Sequence, residues 1–307
     1  MYTFKKFSLE KIDDLLYIFK SSNKLKVSKE KFIKKYNTDY LGISYVGYLA
    51  YDEFEKPAAF YCVIPVLITN EKKQEILIAQ SADTITHPIH QKKGLFITLA
   101  EMTYKLAKEL NIEFLFGIPN YLSFPGFVKK LKWQHTGFMQ IFRIRVNTLP
   151  LAYLSKKNNS FNSFYQKYTH FIISVLFKKE TTFCLNSNIY EIKANENYKN
   201  YKNYNKKYFI KIDDVVLWIT IDNFLKIGDI QGLNEENIIL FIKKIKLISF
   251  SLGCHKIVFQ CNKTNDLFKV FSSQITPSEG LPIIFKNLTN NYTTENISLK
   301  YSDIDTF

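Results

Sequence analysis

The stretch that decides the fold reads ADTITHPIHQKKGLF and runs from Ala82 to Phe96. It joins an apolar segment typical of a β-strand, Gln74 to Thr86, to a segment with leucine and methionine at helical spacing, Lys93 to Leu110. Such a strand-loop-helix unit points backbone N–H groups at one spot ahead of the helix. The helix dipole adds about half a positive charge there. The sequence therefore predicts a pyrophosphate site.

Two features of the loop agree with this prediction. Lys92 and Lys93 raise the local positive potential, and Gly94 lets the backbone approach a phosphate without an intervening Cβ. A glycine in a basic loop is, taken alone, more often part of an ordinary strand-to-helix turn. The neighbouring segments are therefore needed to decide between the two interpretations.

The segments on either side predict an α+β domain with a central sheet. In chain order they are a helix around Leu9 to Phe19, a helix at Ser28 to Tyr36, a hairpin of Gly42 to Tyr51 and Ala58 to Leu67, a buried strand at Phe114 to Ile118, a short helix at Leu122 to Leu131, and a closing strand at Phe138 to Val146.

The second half repeats this order in outline, after a linker at Leu149 and Pro150. We expect an aromatic amphipathic segment at Phe161 to Phe177, an exposed polar loop at Asn195 to Tyr208, strands at Tyr208 to Ile212 and Val215 to Ile221, a helix at Leu233 to Leu252, a strand at Lys256 to Gln260, a short helix near Asp266 to Ser273, and a strand at Ile283 to Phe285. The predicted domains are residues 1–147 and 148–307.

The length, charge and cysteine content of the chain limit the classes of function that it can have. The 307 residues suit two domains, and the net charge of +14 is spread over both halves, which favours an anionic partner or reflects a compositional bias. Nucleic-acid binding alone is the weakest reading because the basic residues are dispersed. The four cysteines, Cys62, Cys184, Cys254 and Cys261, show no metal-ligand spacing. No apolar run approaches the ~20 residues that span a bilayer, so we expect a soluble, cytoplasmic protein without a metal.

The loop resembles motif A of the GNAT superfamily of acyl-CoA-dependent N-acyltransferases, in which Gln/Arg-x-x-Gly-x-Gly/Ala follows a strand. Gln91-Lys92-Lys93-Gly94-Leu95-Phe96 fills this motif after His87-Pro88, and Phe114 to Asn120 resembles the next strand of the family. The resemblance covers about residues 1–147. It implies two GNAT-like domains, each a mixed, mostly antiparallel central sheet flanked by helices. The second domain lacks a recognisable pyrophosphate loop, and the tandem is similar to FemABX-like and polysaccharide-locus proteins.

The resemblance also implies the residues that bind the acyl donor, acetyl-CoA or another short acyl-CoA. The backbone of Ile85 and Thr86 would pair with pantetheine where two parallel strands splay apart, and Asn120 would contact the arm. The pyrophosphate would lie on the N–H groups of Gln91, Lys92, Lys93, Gly94, Leu95 and Phe96. Phe96 departs from the family pattern, which has a small residue at this position.

The reaction needs a base for the amine and a donor for the oxyanion, but no covalent nucleophile. The candidate catalytic residues are Asp83, His87 and Tyr121, with His90 as a further candidate base. Phe127 stands where many members of the family carry a tyrosine as general acid, so Tyr121 or a water would have to serve instead. For Asp83 the alternative is an ion pair with a lysine, and for each histidine a role in shaping the loop.

The sequence thus predicts an N-acyltransferase that acts on a primary amine, with an amino sugar of surface polysaccharide, supplied as a nucleotide amino sugar, as one candidate acceptor. In the second half Tyr165, Tyr168, Trp218 and Asp222 are candidates for lining an acceptor cleft. The alternatives are a FemABX-like transferase that uses aminoacyl-tRNA and a non-catalytic acyl-CoA-binding module.

Overall fold

The computed structural model describes residues 1–22, 28–69, 72–176, 190–204, 207–289 and 297–307. The strands are β1 (Thr3–Lys6), β2 (Val46–Tyr51), β3 (Pro57–Thr69), β4 (Glu75–Thr86), β5 (Phe114–Gly117), β6 (Gln134–Arg145), β7 (Glu191–Ile192), β8 (Lys207–Ile212), β9 (Val215–Ile221), β10 (Leu225–Gln231), β11 (Lys256–Cys261) and β12 (Ser278–Asn287). The helices are α1 (Ile12–Ser21), α2 (Lys29–Tyr36), α3 (Leu95–Glu109), α4 (Leu151–Ser155), α5 (Asn159–Leu176), α6 (Glu196–Tyr201), α7 (Ile238–Ser251) and α8 (Leu267–Ser272).

The chain forms two compact units, each built from three segments. Unit 1 contains Met1–Gly137, Ile192–Tyr204 and Leu281–Glu295, and unit 2 contains Phe138–Glu191, Asn205–Gly280 and Asn296–Phe307. The domain boundary between residues 147 and 148 stays a prediction, and the compact units divide the chain ten residues earlier, between Gly137 and Phe138.

The sheet of unit 1 has the order β1-β2-β3-β4-β5-β12. Of the five neighbouring pairs in this order, β4–β5 is parallel and the other four are antiparallel. We expected Phe138 to Val146 to close this sheet, which is wrong, because β12 pairs with β5 whereas β6 pairs with β11 in unit 2. Alternating apolar residues identify a strand but not its distant partner.

Helices cover both faces of this sheet. Phe7, Leu15 and Phe32 belong to a buried cluster that contains residues of α1 and α2, whereas Leu99 of α3 packs in a separate cluster with Tyr61. Ser28 caps α2 as expected, since its Oγ accepts a hydrogen bond from the Lys31 N–H at 3.3 Å. The order of elements from β1 to β5 agrees with the prediction, and it places the loop after β4 at the N-terminus of α3.

Unit 2 repeats this plan with the strand order β6-β11-β10-β9-β8, in which only β10 and β11 are parallel. Its core joins residues of α5, α7 and α8 to those of the strands. The predicted fold class, a mixed and mostly antiparallel sheet flanked by helices, is confirmed.

Two local predictions fail for identifiable reasons. The polar stretch from Asn195 begins a helix, because the Asn195 side chain caps it and Tyr198 is buried. Strand β10 was missed because its sequence, LKIGDIQ, interrupts the apolar pattern with Gly228 and Asp229.

The thiols of Cys62, Cys254 and Cys261 are buried and form no disulfide among the described residues, and Cys184 lies outside that part of the chain. In the part of the chain that the structure describes, no helix is long and apolar enough to cross a membrane.

Candidate active site

The candidate site of unit 1 begins where two parallel strands stop pairing. The β4–β5 register ends with Ser81 opposite Gly117. Directly after Ser81 the register of β4 against β3 shifts by one residue, which is a β-bulge at Ala82 and Asp83. Bulges bend and twist a strand, and β4 continues to Thr86 without β5 beside it. We call the space beyond Ser81 and Gly117 the first strand gap.

Two cavities adjoin this gap. The gap cavity has a volume of about 360 Å³ and is lined by Ser22, Thr84, Ile85, Thr86, Pro88, Gln91, Phe96, Asn120, Leu122, Ser123 and Gly126. The loop cavity has a volume of about 370 Å³ and is lined by Thr86, residues 90–97, Pro125, Gly126, Lys129 and Lys130. Thr86, Gln91, Phe96 and Gly126 line both cavities, so the two are adjacent, and we call them together the groove. This size is typical of small-molecule sites.

The groove brings together every residue predicted to bind the acyl donor. Ile85 and Asn120 line the gap cavity, Thr86, Gln91 and Phe96 line both cavities, and Lys92 to Leu95 line the loop cavity. Their binding roles stay predictions.

The loop before α3 presents free backbone donors. The Gln91 N–H, which we predict to bind the pyrophosphate, donates to the Pro88 carbonyl at 3.4 Å within a short 3₁₀ turn. Among the described residues, the N–H groups of residues 92–96 have no acceptor. Donors at a helix N-terminus lack intrahelical partners, so these groups are available to an anion.

Gly94 has a backbone reason to be glycine. Its φ is +78°, and no atom lies within 4 Å of the position that a Cβ would take. L side chains rarely adopt this conformation, so the loop needs glycine for its path, and the space beside Gly94 is open.

The loop cavity is electropositive. Lys92, Lys93, Lys129 and Lys130 line it, and no carboxylate does so among the described residues. Lys129 and Lys130 belong to a π-helical turn, Gly126–Lys130, that sequence reasoning placed in a short helix without assigning it a role. The sequence signal that could have identified these two residues is a pair of adjacent lysines that follows a glycine and two apolar residues. An electropositive cavity beside free N–H groups suits a pyrophosphate.

Phe96 and Gly126 fit each other at the middle of the groove. A Cβ on Gly126 would lie 3.0 Å from the Phe96 ring, so glycine there makes room for the bulky residue that departs from the family motif. Phe127 is buried, and its ring packs edge-on against Phe96 and Trp133 at 5.1 Å. Phe127, which stands where the resembled family often has a tyrosine, is therefore part of the core.

Asn120 lines the gap cavity through a turn that it stabilises itself. Its Oδ1 accepts hydrogen bonds from the N–H groups of Leu122 and Ser123, both at 3.0 Å. This turn carries Tyr121, whose side chain is 67% exposed and does not line the cavity.

Asp83 has partners on α2. Its Oδ2 lies 2.6 Å from the Lys35 Nζ and also accepts a hydrogen bond from the Tyr36 hydroxyl. The lysine pairing that sequence analysis left open is therefore present, and Asp83 does not line the gap cavity. Its neighbour Thr84 does, and the Asp83 side chain keeps 23% of its surface exposed.

Both histidines of the loop have structural contacts. The Ile89 N–H donates to His87 Nδ1 at 3.4 Å, and the His87 ring stacks on Tyr17 with centroids 6.0 Å apart. His90 is hydrogen-bonded to the Tyr2 hydroxyl at 2.9 Å, and its Nε2 lies 3.5 Å from Asp52. Burial and, to a lesser extent, Lys93 lower the pKa of His90, against the opposing effect of Asp52. These contacts shape the loop.

The four cleft candidates of the second half have structural partners in unit 2. Trp218 is buried and stacks on Phe209 with centroids 5.2 Å apart. Tyr165 and Tyr168 donate hydrogen bonds to carbonyls at the C-terminal end of α7, and Asp222 pairs with Lys156 at 2.9 Å. These contacts give each of the four residues a structural role within unit 2.

Unit 2 also contains a buried charge cluster. Lys300 Nζ lies 2.8 Å from Asp229 and 3.3 Å from Glu191, and the Asp303 carboxylate accepts the Lys300 backbone N–H at 2.8 Å. Burial raises the pKa of Asp229, and it raises the pKa of Asp303 from 3.8 to about 7, against the opposing effect of Lys300. One ammonium faces three carboxyl groups, so a proton on one of them relieves the excess negative charge.

The stability of unit 2 should depend on pH through Asp303. Because the folded-state pKa is raised, this group's contribution is complete below the unfolded pKa of 3.8 and is lost as the pH rises through about 7. We expect the unfolding temperature of Asp303→Asn to fall less than that of wild type between pH 5 and pH 8, because asparagine keeps the shape of the side chain but cannot ionise. Asp213→Asn, at an exposed aspartate of the same unit, is the control that should retain the wild-type slope. Equal slopes for wild type and Asp303→Asn would contradict the assignment.

No protein-family model matches the sequence, and no curated protein matches it. Solved structures do resemble the chain. A GCN5-related N-acetyltransferase from Anabaena variabilis has a TM-score of 0.59 at 15% identity over 94% of this chain and 73% of its own. One from Kribbella flavida has a TM-score of 0.57 at 8% identity, with 94% and 71% covered. N-myristoyltransferase from Saccharomyces cerevisiae, solved with myristoyl-CoA, has a TM-score of 0.54 at 10% identity, with 99% and 84% covered. The chain therefore has the GCN5-related N-acetyltransferase fold.

Proposed function

We propose that unit 1 is an acyl-CoA-dependent N-acyltransferase that moves an acetyl or short acyl group to a primary amine. One observation carries the proposal: the free N–H groups of residues 92–96 and four lysines stand at one end of a groove whose other end is the first strand gap. The charged end suits the CoA pyrophosphate. The gap exposes the unpaired edge of β4 around Ile85 and Thr86 to the amide groups of pantetheine.

The chemistry requires two proton transfers. The amine nitrogen forms a bond to the thioester carbonyl carbon and gives up a proton, and the carbon–sulfur bond breaks as the thiolate takes one. We assign Asp83 to the first transfer, because Lys35 and Tyr36 occupy only its Oδ2. Tyr121, which lies between the lining residues Asn120 and Leu122, is the candidate donor to the thiolate. His87 remains a second candidate base, and the amino-sugar acceptor stays a prediction.

Asp83→Asn should separate binding from turnover. We expect acetyl-CoA to bind with wild-type affinity while turnover on an amine panel falls by about 10²–10⁴-fold, the usual contribution of a general base. Asp14→Asn is the matched control, since Asp14 also accepts a hydrogen bond from a tyrosine, Tyr51, at 2.5 Å, but neither Asp14 nor a residue next to it lines the groove, whereas Thr84 beside Asp83 does. Turnover by Asp83→Asn at the wild-type rate would exclude Asp83 as the base.

Gly126→Val should block the middle of the groove. The side chain would enter the space between Gly126 and the Phe96 ring, so we expect acetyl-CoA binding to be lost. Adenosine 3′-phosphate 5′-diphosphate, which keeps the pyrophosphate of CoA but lacks the pantetheine arm, should still bind at the loop cavity. Adding Phe96→Ala should restore part of the acetyl-CoA affinity. If Gly126→Val binds acetyl-CoA as wild type does, the arm does not cross this point.

A further inference from the structure

Unit 2 contains a second strand gap of the same construction. The parallel register of β10 and β11 ends with Ile227 opposite Phe259. Directly afterwards, at Gly228, the register of β10 against β9 shifts by one residue. Parallel pairing thus stops and a bulge bends the strand, as at Ser81 and Ala82 in unit 1. The space beyond Ile227 and Phe259 is the second strand gap.

The chain itself fills this gap. Residues 297–304 are all buried, and the turn Tyr301–Asp303 packs against both β10 and β11. On the β11 side Cys261 forms a bridge with Lys300, and Asn262 accepts the Leu299 N–H and donates to the Ile297 carbonyl. On the β10 side Lys300 pairs with Asp229.

Phe307 closes the contact at the bulge. A Cβ on Gly228 would lie 2.3 Å from the Phe307 ring, and the same ring meets Trp218 edge-on with centroids 5.8 Å apart. Only glycine at the bulge leaves room for this ring. Gly228 therefore has a packing reason, in addition to the bend of β10.

The loop that follows β10 differs in charge and in hydrogen bonding from the loop of unit 1. Three of its N–H groups already have acceptors, since Asn234 Oδ1 receives those of Glu236 and Asn237 at 3.0 Å and Asn237 Oδ1 receives that of Asn234 at 2.9 Å. The adjoining cavity of about 290 Å³ is lined by Glu191, Asp229 and Asp266, with Lys300 as its cation. Neither feature suits a pyrophosphate.

We infer that the second strand gap is a binding site for a peptide segment, occupied by residues 297–307 of this chain, and that it takes no acyl-CoA. Its recognition elements are backbone pairing with Cys261 and Asn262, an ammonium that pairs with Asp229 and Glu191, and an aromatic ring that packs on Gly228. This ligand chemistry differs from that of the first gap, although the two gaps are built alike. Of the two gaps, the first then remains as the acyl-CoA site.

A double-variant cycle tests the occupant and does not depend on the proposed function. Gly228→Ala should lower the unfolding temperature, because its methyl group collides with the Phe307 ring. The pair Gly228→Ala with Phe307→Ala should unfold at a higher temperature than Gly228→Ala alone, since the collision is gone. Losses that simply add would show that the ring does not lie on Gly228 and would overturn the inference.

Calorimetry with acetyl-CoA tests the single-site statement, which rests on the proposed function. We expect one molar equivalent to bind wild type and none to bind Gly94→Glu, whose change lies in unit 1. A second equivalent, or an equivalent retained by Gly94→Glu, would overturn the inference. If neither protein binds, the proposed function fails, whereas the variant cycle still decides what occupies the second gap.

Discussion

Gly94→Glu is expected to abolish acetyl-CoA binding. Gly94 has φ of +78° with open space beside it, so a glutamate there projects a negative charge toward the free N–H groups of the loop. Two like charges about 4 Å apart repel by about 4 kcal/mol at an effective dielectric constant of about 20. That corresponds to an affinity about a thousandfold weaker. Isothermal titration of acetyl-CoA into folded variant protein measures the loss.

Gly42→Glu is the matched control, because Gly42 also belongs to unit 1, has φ of +72° and has no atom near its Cβ position. Both variants carry the same backbone strain of about 1–2 kcal/mol and the same added charge. Gly42 does not line the groove, so this variant should bind as wild type does. Equal losses in both variants would assign the effect to strain or net charge and not to the loop.

Lys300→Met is expected to destabilise unit 2 strongly. The substitution leaves Asp229, Glu191 and Asp303 without the ammonium that they share. Removing one partner of a buried ion pair costs about 3–5 kcal/mol, which is a large part of the stability of an ordinary domain. Chemical denaturation followed by far-UV circular dichroism should show the loss, and low pH should reduce it as the carboxyl groups take up protons.

Lys244→Met is its control in the same unit. Lys244 pairs with Asp213 at 2.6 Å, but both side chains are well exposed, and such pairs contribute about 0–1 kcal/mol. A loss for Lys300→Met no larger than that for Lys244→Met would mean that the cluster is hydrated and not buried as described.

The donor-binding site of unit 1 could be predicted from the sequence because the residues that indicate it follow one another in one short segment. A strand, a basic loop with glycine and a helix follow one another within Gln74 to Leu110, and together they specify where the N–H groups point. The predicted donor-binding residues from Ile85 to Phe96 line the groove for this reason. Phe96 appeared as a departure from the motif, and its compensation at Gly126 is visible only in three dimensions, thirty residues further along the chain.

The features that sequence reasoning missed depend on distant pairing. Strands β6 and β12 both show alternating apolar residues, and nothing local states that β12 completes the sheet of unit 1. The bulge at Gly228 broke the pattern of β10, so the second strand gap was not recognised, and neither was its occupant. Lys300 and Asp229 are seventy-one residues apart in the chain. A lysine among polar residues is predicted to lie on the surface, because the sequence does not show its distant partners.

Titration of wild-type protein with acetyl-CoA, desulfo-CoA and bulk tRNA in parallel is the most direct measurement of whether unit 1 is an acyl-CoA site. We expect both CoA compounds to bind with a stoichiometry of one and to compete with each other, and tRNA to leave their affinity unchanged. Absence of CoA binding at millimolar concentration, or binding of tRNA that displaces acetyl-CoA, would contradict this account.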